Sequence, residues 1–133
     1  MTASTVVKPP PKIRVAVASK DKGLTNEHFG HAREFLIYEV DTHQAQLLEN
    51  RPVKPYCHGP EGGPGDLSEN IAALSDCTAV LVAKIGALPE SRLQEAGIEV
   101  VQVYNTIETA VLDFYSQWVE KSIQSIERQD NPD

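Results

Sequence analysis

The fold is decided by residues 79–103, which read AVLVAKIGALPESRLQEAGIEVVQV. The run Ala79–Ala83 is short, continuous and apolar, a pattern typical of a strand that is covered on both faces of a sheet. Pro89, as a first-turn residue, opens a short helix that Gly97 stops, and Glu99–Val103 is predicted to be a second strand. This strand–helix–strand order predicts that the two strands pair in parallel through a right-handed crossover.

Upstream of this unit, the sequence predicts a meander of three strands. Residues 13–17 carry β-branched side chains at every second position, which is the period of a strand. Residues 35–40 and 45–53 are predicted to be the second and third strands. The stretch Asp-Thr-His-Gln at 41–44 is expected to form the hairpin turn between them.

Two further helices complete the predicted order. Asp66 is expected to begin one of them, with Glu69 three residues later as a capping box. Asn105 is expected to cap a long helix that has Glu108 at its third position and an apolar stripe along one face. The order β-β-β-α-β-α-β-α predicts an α/β protein with a mixed five-stranded sheet flanked by helices.

The composition fits one acidic domain. A chain of 133 residues with 41% hydrophobic residues can form one core and is too short for two ordinary domains. We expect a flexible, proline-rich leader at residues 1–11, a single α/β domain at residues 12–127 and a polar tail at residues 128–133.

Charge and hydropathy argue against two classes of partner. The formal net charge is −7, whereas non-specific binding to nucleic acid or to an anionic membrane needs a basic face. No apolar run approaches the roughly 20 residues that span a bilayer, and the first residues lack the apolar core of a signal peptide. We therefore expect a cytoplasmic protein that binds neither nucleic acid nor membrane.

Residues that could carry chemistry follow the predicted strands, where open α/β sheets gather their ligands. His28 and His31 are three residues apart, so their imidazoles could meet on a helical turn and bind a metal. Glu27 could ligate or orient a histidine. Alternatively, both histidines are partly exposed loop residues without a ligand. Lys84 could face an anion, or it could belong to a simple structural turn.

A second candidate lies in residues 55–65, which contain four glycines and three prolines. Cys57 and His58 place a thiol beside an imidazole, and this pair suits zinc, copper or iron–sulfur ligation. The alternative is a surface turn with an incidental cysteine. The other cysteine, Cys77, precedes a buried strand and is expected to pack as a small hydrophobic residue.

The sequence lacks the motifs of several other classes of functional site. The stretches 13–19 and 79–83 carry no carboxylate, which disfavours a two-metal nuclease site on the sheet. The glycine run at 62–65 lacks the Lys and Ser/Thr of a P-loop. The sequence also contains no Gly-x-Ser-x-Gly elbow and no Cys-x-x-Cys motif.

Several of these motifs together resemble the nitrogenase iron–molybdenum cofactor biosynthesis domain, which forms NifX, the C-terminal module of NifB and the core of NafY. The similar stretches between residues 12 and 120 are Arg14–Ser19, Leu24–His31, Tyr56–Gly59, Asp76–Gly86 and Ala96–Glu99. The resemblance implies an RNase H-like fold. It also implies non-catalytic binding of an iron–sulfur cofactor precursor during its transfer to nitrogenase cofactor assembly proteins.

The matching positions suggest a set of cluster ligands, which is His28, His31, Cys57 and His58. Glu27 and Lys84 are the further cofactor-binding candidates. One departure limits the function: the radical-SAM part of NifB carries a Cys-x-x-x-Cys-x-x-Cys motif, and a chain with two cysteines cannot hold it. The sequence therefore predicts a monomeric carrier that is not an enzyme. The alternatives are a regulatory or interaction module of the same fold outside nitrogen fixation, or an RNase H-like hydrolase.

Overall fold

The computed structural model describes residues 11–54 and 64–129. Five strands, three α-helices and one short 3-10 turn lie in these two ranges. The strands are β1 (Ile13–Val17), β2 (Glu34–Val40), β3 (Ala45–Pro52), β4 (Ala79–Val82) and β5 (Glu99–Gln102). The helices are α1 (Pro64–Ala72), α2 (Ala87–Glu95) and α3 (Ile107–Gln129), and the 3-10 turn is Phe29–His31. None of the helices in the described ranges is long and apolar enough to cross a membrane.

The strands form one mixed sheet in the order β3-β2-β1-β4-β5. β1 and β4 pair in parallel, as do β4 and β5, so the parallel pairing predicted from residues 79–103 is confirmed. β2 is antiparallel to both β1 and β3. It follows that β1, β3, β4 and β5 all point in one direction and end at the same side of the sheet, which we call the carboxyl edge.

Helices cover both faces of the sheet, as predicted. α1 and α2 pack on one face and α3 packs on the other. Because side chains alternate along a strand, β1 serves both layers: Val15 and Val17 face α3, whereas Ala16 and Ala18 face α1 and α2. Burying each of these valines contributes about 1.5–3 kcal/mol of hydrophobic stabilisation. Because the alanines pack in the other layer, the short β1 strand contacts both helical layers.

The end of α2 follows the sequence prediction closely. Gly97 adopts φ +85°, a left-handed conformation that glycine adopts without strain. Its amide donates to the Gln94 carbonyl, and the Ile98 amide donates to the Leu93 carbonyl at 2.9 Å. These two bonds form a Schellman motif, which ends the helix and turns the chain into β5.

The predicted starts of α1 and α3 are wrong by one or two residues. α1 begins at Pro64 rather than at Asp66, because the fixed φ of proline suits the first position of a helix. α3 begins at Ile107, so Thr106 rather than Asn105 precedes it. The Asn105 side-chain oxygen accepts from the Thr106 amide, and the Thr106 carbonyl accepts the helical bond from Ala110 at 2.9 Å.

An ion-pair network fastens β3 to the turn between α1 and β4. Arg51 donates to both carboxylate oxygens of Asp76, at 2.7 and 3.2 Å, and to Glu49 at 2.8 Å. Arg14 on β1 donates to the same Asp76 carboxylate at 2.8 Å. Hydrogen bonds from Arg51, followed by those from Arg14, hold the pKa of Asp76 well below its ordinary value of 3.8.

We predict that Asp76→Asn lowers the free energy of unfolding at pH 7 by about 1 kcal/mol, a modest value because the Asp76 side chain is 38% exposed. A carboxyl group whose pKa is lowered by folding stabilises the protein above its unfolded pKa and loses this effect as the pH falls. Urea unfolding at pH 7 and at about pH 3 should therefore give a smaller difference between the variant and the unaltered chain at the lower pH.

Glu99→Gln is the matched control, because Glu99 forms an exposed pair with Lys121 at 3.6 Å. Such a pair contributes about 0–1 kcal/mol, so this variant should unfold almost as the unaltered chain does. A difference in stability between the Asp76 variant and the unaltered chain that is the same at both pH values would contradict the role assigned to the network.

Candidate functional site

The segment after β1 is fastened first to the end of β5. Thr25 is fully buried, and its hydroxyl donates to the Val103 carbonyl at 2.7 Å and accepts from the Asn105 amide at 3.1 Å. The Thr25 amide also donates to the Asn105 carbonyl at 2.9 Å. A buried hydroxyl that satisfies the backbone on both sides holds this segment against the carboxyl edge.

The same segment is fastened a second time, to the end of β4. The Ala83 amide donates to the Glu27 carbonyl, and the Phe29 amide donates to the Lys84 carbonyl, both at 2.9 Å. These bonds make His28 and Lys84 partners in an isolated parallel β-bridge. Phe29 is fully buried in the layer under α1 and α2, where its ring lies 5.6 Å from that of Phe35. The histidines on either side of Phe29 and Gly30 are therefore attached to the core.

His28 and His31 come together, as their spacing predicts. The 3-10 turn Phe29–His31 places the two rings in a parallel stack, with 5.0 Å between the ring centroids and 8° between the planes. His28 is half-buried and His31 is exposed. Neutral imidazole nitrogens are common metal ligands, so this pair can supply two ligands to a metal that approaches from solvent.

The histidine pair lines a cavity of about 460 Å³ at the carboxyl edge, a size typical of small-ligand sites. Residues from the segment after β1 and from the connection between β4 and α2 form its wall. They are His28, Gly30, His31, Lys84, Ile85, Gly86, Ala87, Leu88 and Pro89. Among the described residues of this lining there is no carboxylate, so they do not provide the clustered acids that a two-metal hydrolase needs.

Glu27 lies beside the histidines but does not line this cavity. Its carboxylate accepts from the His28 backbone amide at 2.8 Å. It lines a separate cavity with Lys20 and Arg33, among others. The Glu27 side chain therefore stabilises the backbone at His28, whereas Lys84 shares the histidine cavity.

Cys57 and His58 lie outside the described residues. The described chain before them ends at Lys54, shortly after β3, and β3 runs to the same carboxyl edge as β1. Val53 donates its amide to the Arg33 carbonyl at 2.9 Å, and the buried Asn70 of α1 donates to the Lys54 carbonyl at 2.9 Å. The chain that leads to Cys57 thus leaves the sheet at the edge that carries the histidines.

The described residues supply only part of a ligand set. Within residues 11–54 and 64–129, no group of three or more His, Cys, Asp or Glu side chains is placed to hold a metal ion. Cys77 is buried in the core, and burial first, followed by the charge of Asp76, raises the pKa of its thiol to about 12. A thiol with that pKa stays protonated at neutral pH, which agrees with the predicted packing role of Cys77.

A profile of the family described as "Dinitrogenase iron-molybdenum cofactor" matches residues 11–117. The chain belongs to this family. The resemblance inferred from the motifs is therefore confirmed, and the match extends over both fastening points, the histidine pair and the connection from β4 to α2.

Curated relatives in the dinitrogenase iron-molybdenum cofactor family support the same assignment. The FeMo cofactor biosynthesis protein NifB of Frankia alni is 45% identical over 120 residues, covering 88% of this chain and 24% of that protein. The NifB of Herbaspirillum seropedicae is 45% identical over 109 residues, covering 80% of this chain and 21% of that protein. The chain thus spans about a quarter of the length of the curated relatives that it matches.

A solved structure supports the fold of this family member. The crystal structure of PH0822 is similar with a TM-score of 0.60 and 27% sequence identity, over 79% of this chain and 90% of that one. The mixed α/β architecture, with its sheet flanked by helices, is thereby found in an experimentally determined protein as well.

Thr25 is a residue that sequence reasoning missed, and its role gives a prediction. Thr25→Val keeps the volume but removes the hydroxyl, which leaves the Val103 carbonyl and the Asn105 amide without this partner. We expect the free energy of unfolding to fall by about 1–3 kcal/mol. Hydrogen exchange at the Asn105 amide should accelerate, because the segment after β1 then separates from the end of β5 more often.

Thr25→Ser is the matched control, since it keeps the hydroxyl and loses only a methyl group. Exchange at Asn105 should remain close to that of the unaltered chain. The fastening role of the Thr25 hydroxyl would be wrong if valine and serine variants exchanged this amide at the same rate.

Proposed function

We propose that this chain binds an iron–sulfur precursor of the iron–molybdenum cofactor and holds it for transfer during cofactor assembly. The stacked pair of His28 and His31 at the open cavity is the observation that carries the proposal. Two imidazoles present metal-binding nitrogens to solvent, and so small a ligand set allows a cluster to arrive and to leave.

The relatives support the biological setting of this proposal. NifB proteins are named for FeMo cofactor biosynthesis, and this chain matches about a quarter of their length. We infer that the chain acts in the same process and meets other nitrogenase cofactor assembly proteins there. In our proposal it does so as a cytoplasmic monomer with an RNase H-like sheet, to which the order β3-β2-β1-β4-β5 lends support.

We also propose that the chain is not an enzyme. Within residues 11–54 and 64–129, the lining of the histidine cavity has imidazole and ammonium groups but no carboxylate. Hydrolysis assisted by metal ions on such a sheet needs clustered acidic ligands. Binding and release of a cluster need only exchangeable ligands at an accessible place, and the exposed His31 beside the half-buried His28 meets that need.

The test is anaerobic titration of the chain with an isolated iron–sulfur precursor of the cofactor, followed by gel filtration with detection of visible absorbance. The unaltered chain should retain the brown chromophore on a monomer-sized peak. The double variant His28→Ala/His31→Ala should lose about tenfold or more in affinity for the cluster, because both imidazole ligands are lost. Its urea unfolding should stay close to that of the unaltered chain, since neither ring belongs to the core.

His43→Ala is the matched control. His43 is exposed in the turn between β2 and β3, at the opposite end of the sheet from the carboxyl edge. This variant should retain the chromophore fully. Unchanged binding by the double variant would refute the site, and no retention by the unaltered chain would favour an interaction module that binds no cluster.

A further inference from the structure

The cavity wall has a charge opposite to that of the whole chain. The sequence carries 19 acidic and 12 basic residues, for a formal net charge of −7. The part of the cavity lining that the structure describes nevertheless contains one lysine, two histidines and no carboxylate. A ligand in this cavity therefore meets positive charge and imidazole dipoles within an acidic protein, and charge at such short range acts on the ligand most strongly.

Lys84 is held in register with the histidine pair. It is the parallel β-bridge partner of His28, and bridge partners project their side chains to the same side. His31 stacks on His28. The backbone thus keeps Lys84 beside His28, and Lys84, His28 and His31 line one cavity.

Lys84 is one of the described cations that form no ion pair, and the others are Lys20, Arg33, Lys54 and Arg92. Lys12, Lys22 and Lys121 each lie within 4 Å of a carboxylate, as do Arg14 and Arg51. Among the described residues, no carboxylate pairs with Lys84. Within the described ranges, no carboxylate therefore competes with a ligand in the cavity for this ammonium group.

The start of α2 adds to the positive field without being a site by itself. Ala87 and Leu88, the first residues of this nine-residue helix, belong to the cavity wall. Gly86 at the N-cap supplies no side-chain hydrogen bond to the first turn. The amino end of a helix carries a partial positive charge, which here has the same sign as Lys84 and is offset in part by Glu90 in the first turn.

We propose that Lys84 makes the histidine site selective for anionic metal–sulfur clusters over simple divalent cations. This inference rests on the proposed function, in that the same two imidazoles bind the metal in both cases. An anionic cluster held by His28 and His31 gains attraction to the Lys84 ammonium, whereas a divalent ion at the same nitrogens is repelled by it. Lys84 acts as a specificity-determining residue at the cavity.

The test compares two probes that differ in the sign of their charge. One is a synthetic, thiolate-ligated [4Fe–4S] cluster in its reduced, trianionic form, which releases two thiolates when two imidazoles ligate it and so remains anionic, and the other is Co²⁺. Lys84→Ala should weaken cluster binding roughly tenfold, and Lys84→Glu roughly a hundredfold, while Co²⁺ binding is unchanged or becomes tighter. Anaerobic titrations followed by visible absorbance give both affinities for each variant.

Lys121→Ala is the matched control, because it removes the same charge at the opposite end of the sheet, where Lys121 pairs with Glu99. It should change neither affinity by more than about twofold, since the Debye length at 0.1 M salt is about 10 Å. Raising the salt from about 0.1 to 1 M should also reduce the effect of Lys84→Ala, because screening shortens the reach of the ammonium charge.

The outcomes separate this inference from the proposed function. A loss of cluster affinity alone supports charge selection by Lys84. Equal losses for cluster and Co²⁺, or no loss for either, would overturn the inference while leaving the carrier function in place. Failure of the unaltered chain to bind the cluster would overturn both.

Discussion

The candidate site depends on the hydrogen bonds that hold the segment after β1 against the ends of two neighbouring strands. Thr25 fastens the segment to the end of β5, and the backbone of Glu27 and Phe29 fastens it to the end of β4. Buried bonds of this kind are costly to break, because each leaves a polar group without a partner. The 3-10 turn that stacks His28 on His31 is therefore fixed relative to the sheet, although His31 itself is exposed.

This arrangement reconciles a rigid fold with an exchangeable ligand. The sheet and its two helical layers supply the hydrophobic stabilisation, and Cys77, the one cysteine in the described part of the chain, is buried among them. The imidazoles of His28 and His31, which we propose as metal ligands, line a cavity outside the core. A cluster can then bind or leave without disturbing the packing on which the fold depends.

Much of the fold could be predicted from the sequence, because the patterns that define it are local. The apolar run Ala79–Ala83 and the stop at Gly97 lead directly to parallel β4 and β5. The helix starts were predicted less accurately. Asp66 and Asn105 have side chains that can cap a helix, but α1 begins at Pro64 and Thr106 is the residue directly before α3.

The candidate site was predictable in part. The spacing of His28 and His31 predicted that their rings could meet. The hydrogen bonds of Thr25 could not be predicted in this way, because they join residues about 80 positions apart. A buried threonine has no sequence signature that separates it from an exposed one. The cavity wall at Leu88 and Pro89 likewise exists only once α2 is packed beside the turn. Cys57 and His58 remain predictions, since they lie outside the described residues.

The central claim is that His28 and His31 coordinate the cargo. Pulsed electron paramagnetic resonance of the cluster-loaded chain, prepared with histidine labelled with nitrogen-15, tests it most directly. The account predicts hyperfine couplings from imidazole nitrogen that change with the isotope and that weaken or disappear when His28 and His31 are replaced. Couplings that persist unchanged in the variant without these two histidines, or a loaded cluster with no nitrogen coupling at all, would contradict it.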